Sequence, residues 1–102
     1  MPTVSFDTLP DSARLWVFGA ASPVTGDAAS RVLRTVDAHL AVWRAHGVPL
    51  VCARDWRDDR FLAIAVDEQA SQASGCSIDA LFRQLQTVEA ELSVSLVPCC
   101  LV

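Results

Sequence analysis

Two side chains, Cys76 and His46, carry the functional groups best suited to chemistry in this chain. A thiol beside an imidazole is the minimum set for nucleophilic thiol chemistry, with the histidine acting as general base. Asp67 is a third candidate catalytic residue, because a carboxylate next to a histidine can orient the imidazole ring. This reading has structural alternatives. Cys76 serves equally well as a small apolar residue, and His46 as a cation at a helix C-terminus.

The run Ser-Gly-Cys-Ser-Ile-Asp at residues 74–79 predicts a helix start around Cys76. Gly75 allows a sharp turn, Ser77 fits the N-cap position, and Asp79 in the first turn complements the helix dipole. Free backbone N–H groups at such a start favour the thiolate, which is the reactive form of cysteine. A polar loop over residues 67–76 precedes this start and follows a strong strand.

Composition limits the possible functions of the 102-residue chain, which we expect to form a single domain over residues 1–102. The formal net charge of -4 argues against nucleic acid and anionic membranes as partners. The chain has no lysine, so it cannot contain a phosphate-binding loop of the G-x-x-x-x-G-K-[ST] type. We find no secretory signal or membrane-spanning run, and therefore expect a cytoplasmic protein with reduced thiols.

The cysteine spacing gives no metal-site motif. None of the four cysteines forms a C-x-x-C pair, and we expect no bound metal and no cofactor. We interpret Cys52, inside a predicted strand, as a core residue.

Hydrophobic periodicity predicts the order strand, helix, strand, strand, helix, strand. An irregular N-terminal arm covers residues 1–13, and strands are expected at 14–20, 48–56, 60–66 and 94–97. One helix is expected from the N-cap Thr25 to about residue 46, ending before Gly47, and the other over residues 78–92. Each has a continuous apolar stripe, formed by Ala29, Val32, Leu33, Val36, Leu40 and Trp43 in the first helix and by Ile78, Leu81, Phe82, Leu85, Val88 and Leu92 in the second. With right-handed crossovers this order gives an α+β, ferredoxin-like βαββαβ sandwich. Its four-stranded antiparallel sheet would have the order 4-1-3-2, with both helices on one face.

This topology collects several polar residues at one pole of the fold. Helix one would end there, helix two would start there, and strand four would end there, so His46 and Cys76 become near neighbours. We expect Arg14, Glu68, Ser77 and Asp79 to contribute to ligand binding at this pole. Cys99 or Cys100 is expected to approach Cys76 closely enough for a reversible disulfide.

The two central strands are apolar on both faces, which predicts self-association. Two helices cover only one face of a four-stranded sheet, and a solvated antiparallel sheet alternates apolar with polar residues. We expect Trp16, Phe18 and Phe61 to form an apolar patch on the open face and to mediate a twofold homodimer. Alternatively, the N-terminal arm covers the open face of the sheet in place of a second copy of the chain, through Val4, Phe6 and Leu9.

Three sequence segments together resemble a family of small uncharacterised bacterial proteins. These are strand one with Trp16, the run Trp-Arg-Ala-His-Gly at residues 43–47, and the Ser-Gly-Cys-Ser-Ile-Asp run, which is the specific part. The resemblance covers roughly residues 12–97, and some members of the family carry the label "ABC transporter ATPase". That label does not suit a chain without a Walker lysine. The resemblance implies no known activity, but it implies that His46 and Cys76 belong to the family pattern.

Three functions follow as hypotheses. The first is a small dimeric binding or regulatory module with a small-molecule site near Cys76 and His46. The second is a thiol-dependent enzyme or redox sensor with Cys76 as nucleophile and His46 as base. The third is a purely structural interaction protein.

Overall fold

A computed structural model of the chain describes residues 6–10, 12–69, 72–92 and 94–98, with the backbone alone for residues 97 and 98. A short 3-10 helix at Phe6–Thr8 precedes the main elements. In chain order these are β1 (Arg14–Ala20), α1 (Gly26–Val42), β2 (Arg44–Ala45), β3 (Val48–Pro49), β4 (Cys52–Arg57), β5 (Phe61–Val66), α2 (Gly75–Leu92) and β6 (Leu96–Pro98). The predicted α+β class, with two helices and antiparallel strands, is confirmed.

The larger sheet contains four strands in the order β4-β5-β1-β6, and each neighbouring pair is antiparallel. β5 has the strongest strand sequence, Phe-Leu-Ala-Ile-Ala-Val, and it lies in the interior of the sheet between β4 and β1. β2 and β3 form a separate two-stranded hairpin, which the sequence analysis did not predict.

The apolar stripes of the two helices form the core together with one face of the sheet. In α1 the buried residues are Val32, Val36 and Leu40, and in α2 the apolar buried residues are Leu81, Leu85 and Val88. All six belong to the predicted stripes, and their spacing of three and four residues places them on one side of each helix.

The register of β1 against β5 corrects the predicted apolar patch. Trp16 lies opposite Ile64 and Phe18 opposite Leu62, so these four side chains share the face that meets the helices. Trp16 is only 8% exposed and Phe18 only 2%. The assignment of Trp16 and Phe18 to the open face is therefore wrong, whereas Phe61 does lie on that face and is 42% exposed.

The N-terminal arm lies against the open face of the sheet. The 3-10 helix at Phe6–Thr8 contacts β4, and a depression between arm and sheet is lined by Phe6, Leu9, Leu15 and Ala65 together with neighbouring arm residues. Leu15 and Ala65 are register partners on the face opposite Trp16. The predicted cover by Phe6 and Leu9 thus exists in part, while Val4 lies outside the described residues.

The first helix ends earlier than the sequence suggested. α1 stops at Val42, and Trp43 has an extended backbone (φ -70°, ψ 128°). His46 and Gly47 both have positive φ, 52° and 78°, and form the two-residue turn between β2 and β3. Positive φ at both central residues is the mark of a type I′ hairpin turn. Gly47 therefore closes a hairpin and does not cap the helix.

Within the described residues, neither helix combines the length with the apolar character that crossing a membrane requires.

Candidate functional site

The start of α2 is fixed by two serines that bind each other. The Ser77 N–H donates to Ser74 Oγ (3.1 Å), and the Ser74 N–H donates to Ser77 Oγ (2.7 Å). This reciprocal pattern is a capping box, with serine in the position that glutamate or glutamine more often occupies. The helix accordingly begins at Gly75, three residues before the predicted start. Ser74 is the N-cap, so the assignment of that role to Ser77 is wrong.

Ser77 has a structural role that leaves its hydroxyl unavailable to a ligand. Its side chain also donates to the backbone carbonyl of Ser74 (2.8 Å), and the residue is 4% exposed. The earlier helix start also moves Asp79 out of the first turn. Asp79 instead forms an exposed ion pair with Arg83 at 3.9 Å, and its carboxylate lies in solvent.

Trp43 connects the end of α1 to the start of α2. Its indole Nε1–H donates to the backbone carbonyl of Ser77 (2.8 Å), and the side chain is 3% exposed. The ring packs edge-on against Trp16, with 6.1 Å between the ring centroids. A buried indole that finds an acceptor combines a large apolar contact with a directional bond. Trp43 thereby sets the distance between the β2–β3 hairpin and the first turn of α2.

His46 and Cys76 both line one open cavity. The cavity has a volume of about 500 Å³. Both residues are exposed. Trp43 provides a buried part of the cavity wall, and the remaining lining residues are His39, Val42, Arg44, Ser74, Ser77 and Ala80.

Three other predicted site residues lie outside this cavity and stabilise the loop before α2. The Asp67 carboxylate accepts the Gln69 N–H (3.0 Å), which is the short-range bond of an Asx turn. Glu68 accepts the Ala73 N–H (3.0 Å) and lies 3.9 Å from the Arg14 guanidinium. Arg14 also stacks over the ring of Trp16, with its guanidinium carbon 4.9 Å from the ring centroid. The structure does not place Asp67, Glu68 or Arg14 on the wall of the cavity that holds His46.

His39 is a cavity residue that was not among the predicted site residues. It lines the cavity of His46 and Cys76 and also a second cavity between α1 and α2. Its Nε2 is buried and has no hydrogen-bond partner among the described residues. Burial lowers the pKa of the imidazole. The sequence signal that could have identified His39 is its position four residues before Trp43, because residues at this spacing lie on the same side of a helix. The centroids of the two rings are 5.8 Å apart.

The two described cysteines have opposite environments. Cys52 is fully buried in β4, its Sγ donates to the Leu40 carbonyl (3.6 Å), and burial raises the pKa of its thiol to about 11. Its predicted role as a core residue is therefore confirmed. Cys76 is a free and exposed thiol. The predicted approach of Cys99 or Cys100 to Cys76 lies outside the described residues.

In the part of the chain that the structure describes, no group of three or more histidine, cysteine, aspartate or glutamate side chains is arranged to hold a metal ion. Comparison with models of protein families, with curated proteins and with solved structures found no match.

Proposed function

We propose that the protein is a small-ligand binding or regulatory domain whose site is the cavity lined by His46 and Cys76. The observation that supports this most directly is their position on one open cavity of about 500 Å³. That volume lies within the range of roughly 300–1,000 Å³ found for small-molecule sites. The two residues are 30 positions apart in the sequence, and both line this cavity.

The lining offers a ligand both polar and apolar contacts. His46 and Arg44 contribute an imidazole and a guanidinium from the hairpin, and Cys76 contributes a thiol from the first turn of α2. Backbone N–H groups in a first helical turn have no helical acceptor, and they favour a negatively charged or carbonyl-bearing group. Val42 and Ala80 add an apolar wall. A small polar molecule with one apolar side fits this combination.

A cavity-filling substitution tests the binding site. Ala80→Phe places a large ring on the cavity wall, whereas Ala90→Phe makes the same change at an exposed position of the same helix. In an NMR screen of small polar fragments, we expect hits that shift the backbone amides of His46 and Cys76. These hits should be lost in Ala80→Phe and kept in Ala90→Phe. Equal loss in both variants, or no hit that maps to this wall, would refute the proposed site.

Thiol chemistry is the second candidate function, and the exposure of Cys76 favours it. In this hypothesis Cys76 is the nucleophile and His46 the general base, acting directly or through one water. Asp67 is left out of this hypothesis because it is not among the residues that line the cavity. A thiol enzyme and a redox sensor both require a reactive thiolate.

Alkylation of Cys76 over a pH series separates the two functions. The experiment uses a Cys99→Ser/Cys100→Ser background, in which the buried Cys52 serves as an internal unreactive thiol. A reactive thiol alkylates with a midpoint well below the value of about 8.5 for free cysteine, and His46→Ala should shift that midpoint upward. A midpoint at the free-thiol value that His46→Ala leaves unchanged would exclude thiol chemistry and leave the binding function.

We propose a twofold homodimer through the open face of the large sheet, with a corrected set of contacts. Phe61 and Leu15 remain the large apolar side chains on this face, 42% and 37% exposed. Trp16 and Phe18 belong to the core and are no longer part of the contact. Sedimentation at micromolar concentration should give a dimer that Phe61→Glu dissociates, since an unpaired charge is costly in a dry interface. A monomer of 11.0 kDa would mean that the arm alone covers the sheet.

We further propose that the domain is a ferredoxin-like sandwich. The antiparallel order of the four long strands and the two connecting helices support this assignment. Membership of the bacterial family with the Ser-Gly-Cys-Ser-Ile-Asp run stays a proposal of the same kind, supported by the sequence motif at residues 74–79.

A further inference from the structure

We propose that the cavity between α1 and α2, whose wall includes His39, binds the anionic end of a small organic molecule, a phosphate ester or a carboxylate, through Arg31 and Arg34. This cavity shares His39 and Val42 with the one around Cys76, but the proposal does not depend on the site around Cys76 being functional.

The cavity is large enough for such a ligand and is rich in hydrogen-bond donors. Its volume is about 510 Å³, within the range of small-molecule sites. Arg31 and Arg34 are three residues apart on α1, a spacing that places both guanidinium groups on one side of the helix. The remaining lining residues are Thr35, Ala38, His39, Val42 and, from α2, Gln84.

The charge of this lining is opposite to that of the whole protein. The chain has a formal net charge of -4, yet this cavity is lined by two arginines and by no carboxylate. Guanidinium groups bind phosphate and carboxylate oxygens through paired, charge-assisted hydrogen bonds. An oxyanion is therefore the ligand class that this lining favours.

Both arginines are available to a ligand. Four other arginines, at positions 14, 54, 57 and 83, each lie within ion-pair distance of a carboxylate. Arg31 and Arg34 form no ion pair or side-chain hydrogen bond with any residue that the structure describes. The sequence predicts an i,i+4 pair between Asp27 and Arg31, and this pair does not form. Two adjacent unpaired guanidinium groups repel each other, and an anion between them removes that repulsion.

His39 adds a polar group that the folded chain leaves unused. Its Nε2 is buried and has no hydrogen-bond partner among the described residues, and a buried polar atom without a partner destabilises the protein. Val42, next to it on the cavity wall, is 67% exposed and supplies an apolar contact. The arrangement thus fits a molecule with an anionic end near the arginines and an apolar part near Val42.

The test is an NMR titration of the full chain with inorganic phosphate and, separately, with succinate, at constant ionic strength maintained with chloride. We expect saturable shifts of the Arg31 and Arg34 side-chain N–H groups and of the Gln84 side-chain amide with at least one of the two anions. The anion that binds more tightly identifies the chemical class.

The substitutions Arg31→Gln and Arg34→Gln should each weaken the binding about tenfold or more, the effect of removing one charge-assisted contact. Arg83→Gln is the matched control, because it makes the same charge change at an exposed position of α2 outside the cavity. It should leave the dissociation constant within about twofold. Thermal unfolding of each variant verifies that the fold is intact.

Two results would overturn this proposal. One is the absence of saturable shifts with both anions, and the other is equal weakening by Arg83→Gln, which would indicate nonspecific screening. Alkylation of Cys76 should leave the binding unchanged, so a failure of this site is distinguishable from a failure of the site around Cys76.

Discussion

Replacement of Trp43 by phenylalanine tests how the end of α1 positions the start of α2. The substitution removes the bond from the indole Nε1–H to the Ser77 carbonyl and leaves a gap beside Trp16. Because Trp43 is only 3% exposed, water does not reach the Ser77 carbonyl to replace the lost hydrogen bond unless the surrounding side chains rearrange. Both the missing hydrogen bond and the gap should lower the free energy of unfolding.

The expected loss is the sum of two contributions. A hydrogen bond of this kind stabilises a protein by about 0.5–1.5 kcal/mol. The smaller phenylalanine leaves a void of roughly 40 Å³, which at about 24 cal/mol per Å³ costs about 1 kcal/mol more. The total of about 2 kcal/mol corresponds to a fall of about 10 °C in Tm for a domain of this size.

Urea unfolding followed by circular dichroism measures this loss, and Trp56→Phe is the matched control. Trp56 is partly buried at the edge of the core, and its indole N–H has no hydrogen-bond partner among the described residues. The control should lose about half as much stability or less. Amide hydrogen exchange should also accelerate at residues 75–78 in Trp43→Phe alone. Equal losses in the two variants, or unchanged exchange at the start of α2, would refute the anchoring role.

Three further changes test other parts of the structure. Ser74→Ala removes the N-cap of α2 and should cost about 1 kcal/mol in urea unfolding, whereas Ser30→Ala, exposed within α1, should be neutral. Burial raises the pKa of the Cys52 thiol to about 11. The folded state therefore holds this proton more tightly, and stability should fall as the pH rises from about 9 towards about 11. Cys52→Ala should weaken this dependence of stability on pH, because the chain has no lysine or tyrosine that would titrate in the same range. An unchanged dependence would contradict the raised pKa of Cys52. Asp37→Asn breaks the two-bonded pair with Arg54 (2.8 and 2.9 Å) and should cost at most about 1 kcal/mol, because both groups are partly exposed. That cost should shrink in concentrated salt, and a salt-independent cost would contradict an electrostatic origin.

The sequence by itself determined the elements whose periodicity has a single interpretation. The stripe of Val32, Val36 and Leu40 fits a helix and no strand, and these residues are the buried ones. The apolar run at Phe61–Val66 predicted an interior strand and is one. The order of the elements predicted that His46 and Cys76 lie at the same end of the fold, and both residues line one cavity.

Tertiary structure alone decided which face of β1 is buried. Both alternating sets of β1 are apolar, so a period of two residues does not distinguish the core face from the open face. The register that pairs Trp16 with Ile64 settles this point, because Ile64 is buried and 0% exposed. The sequence analysis chose the wrong face for Trp16 for this reason.

The helix boundaries at the site depend on hydrogen bonds that the spacing of the apolar residues does not specify. Ser74 and Ser77 are three residues apart, and a serine at either position is a good N-cap. The reciprocal hydrogen bonds between them select Ser74 and start the helix at Gly75. Likewise, Trp43 leaves the helix because its indole bonds to α2 and its backbone turns into the hairpin that presents His46. The bond between Trp43 and Ser77 joins residues 34 positions apart, and its geometry is fixed only when the two helices pack together.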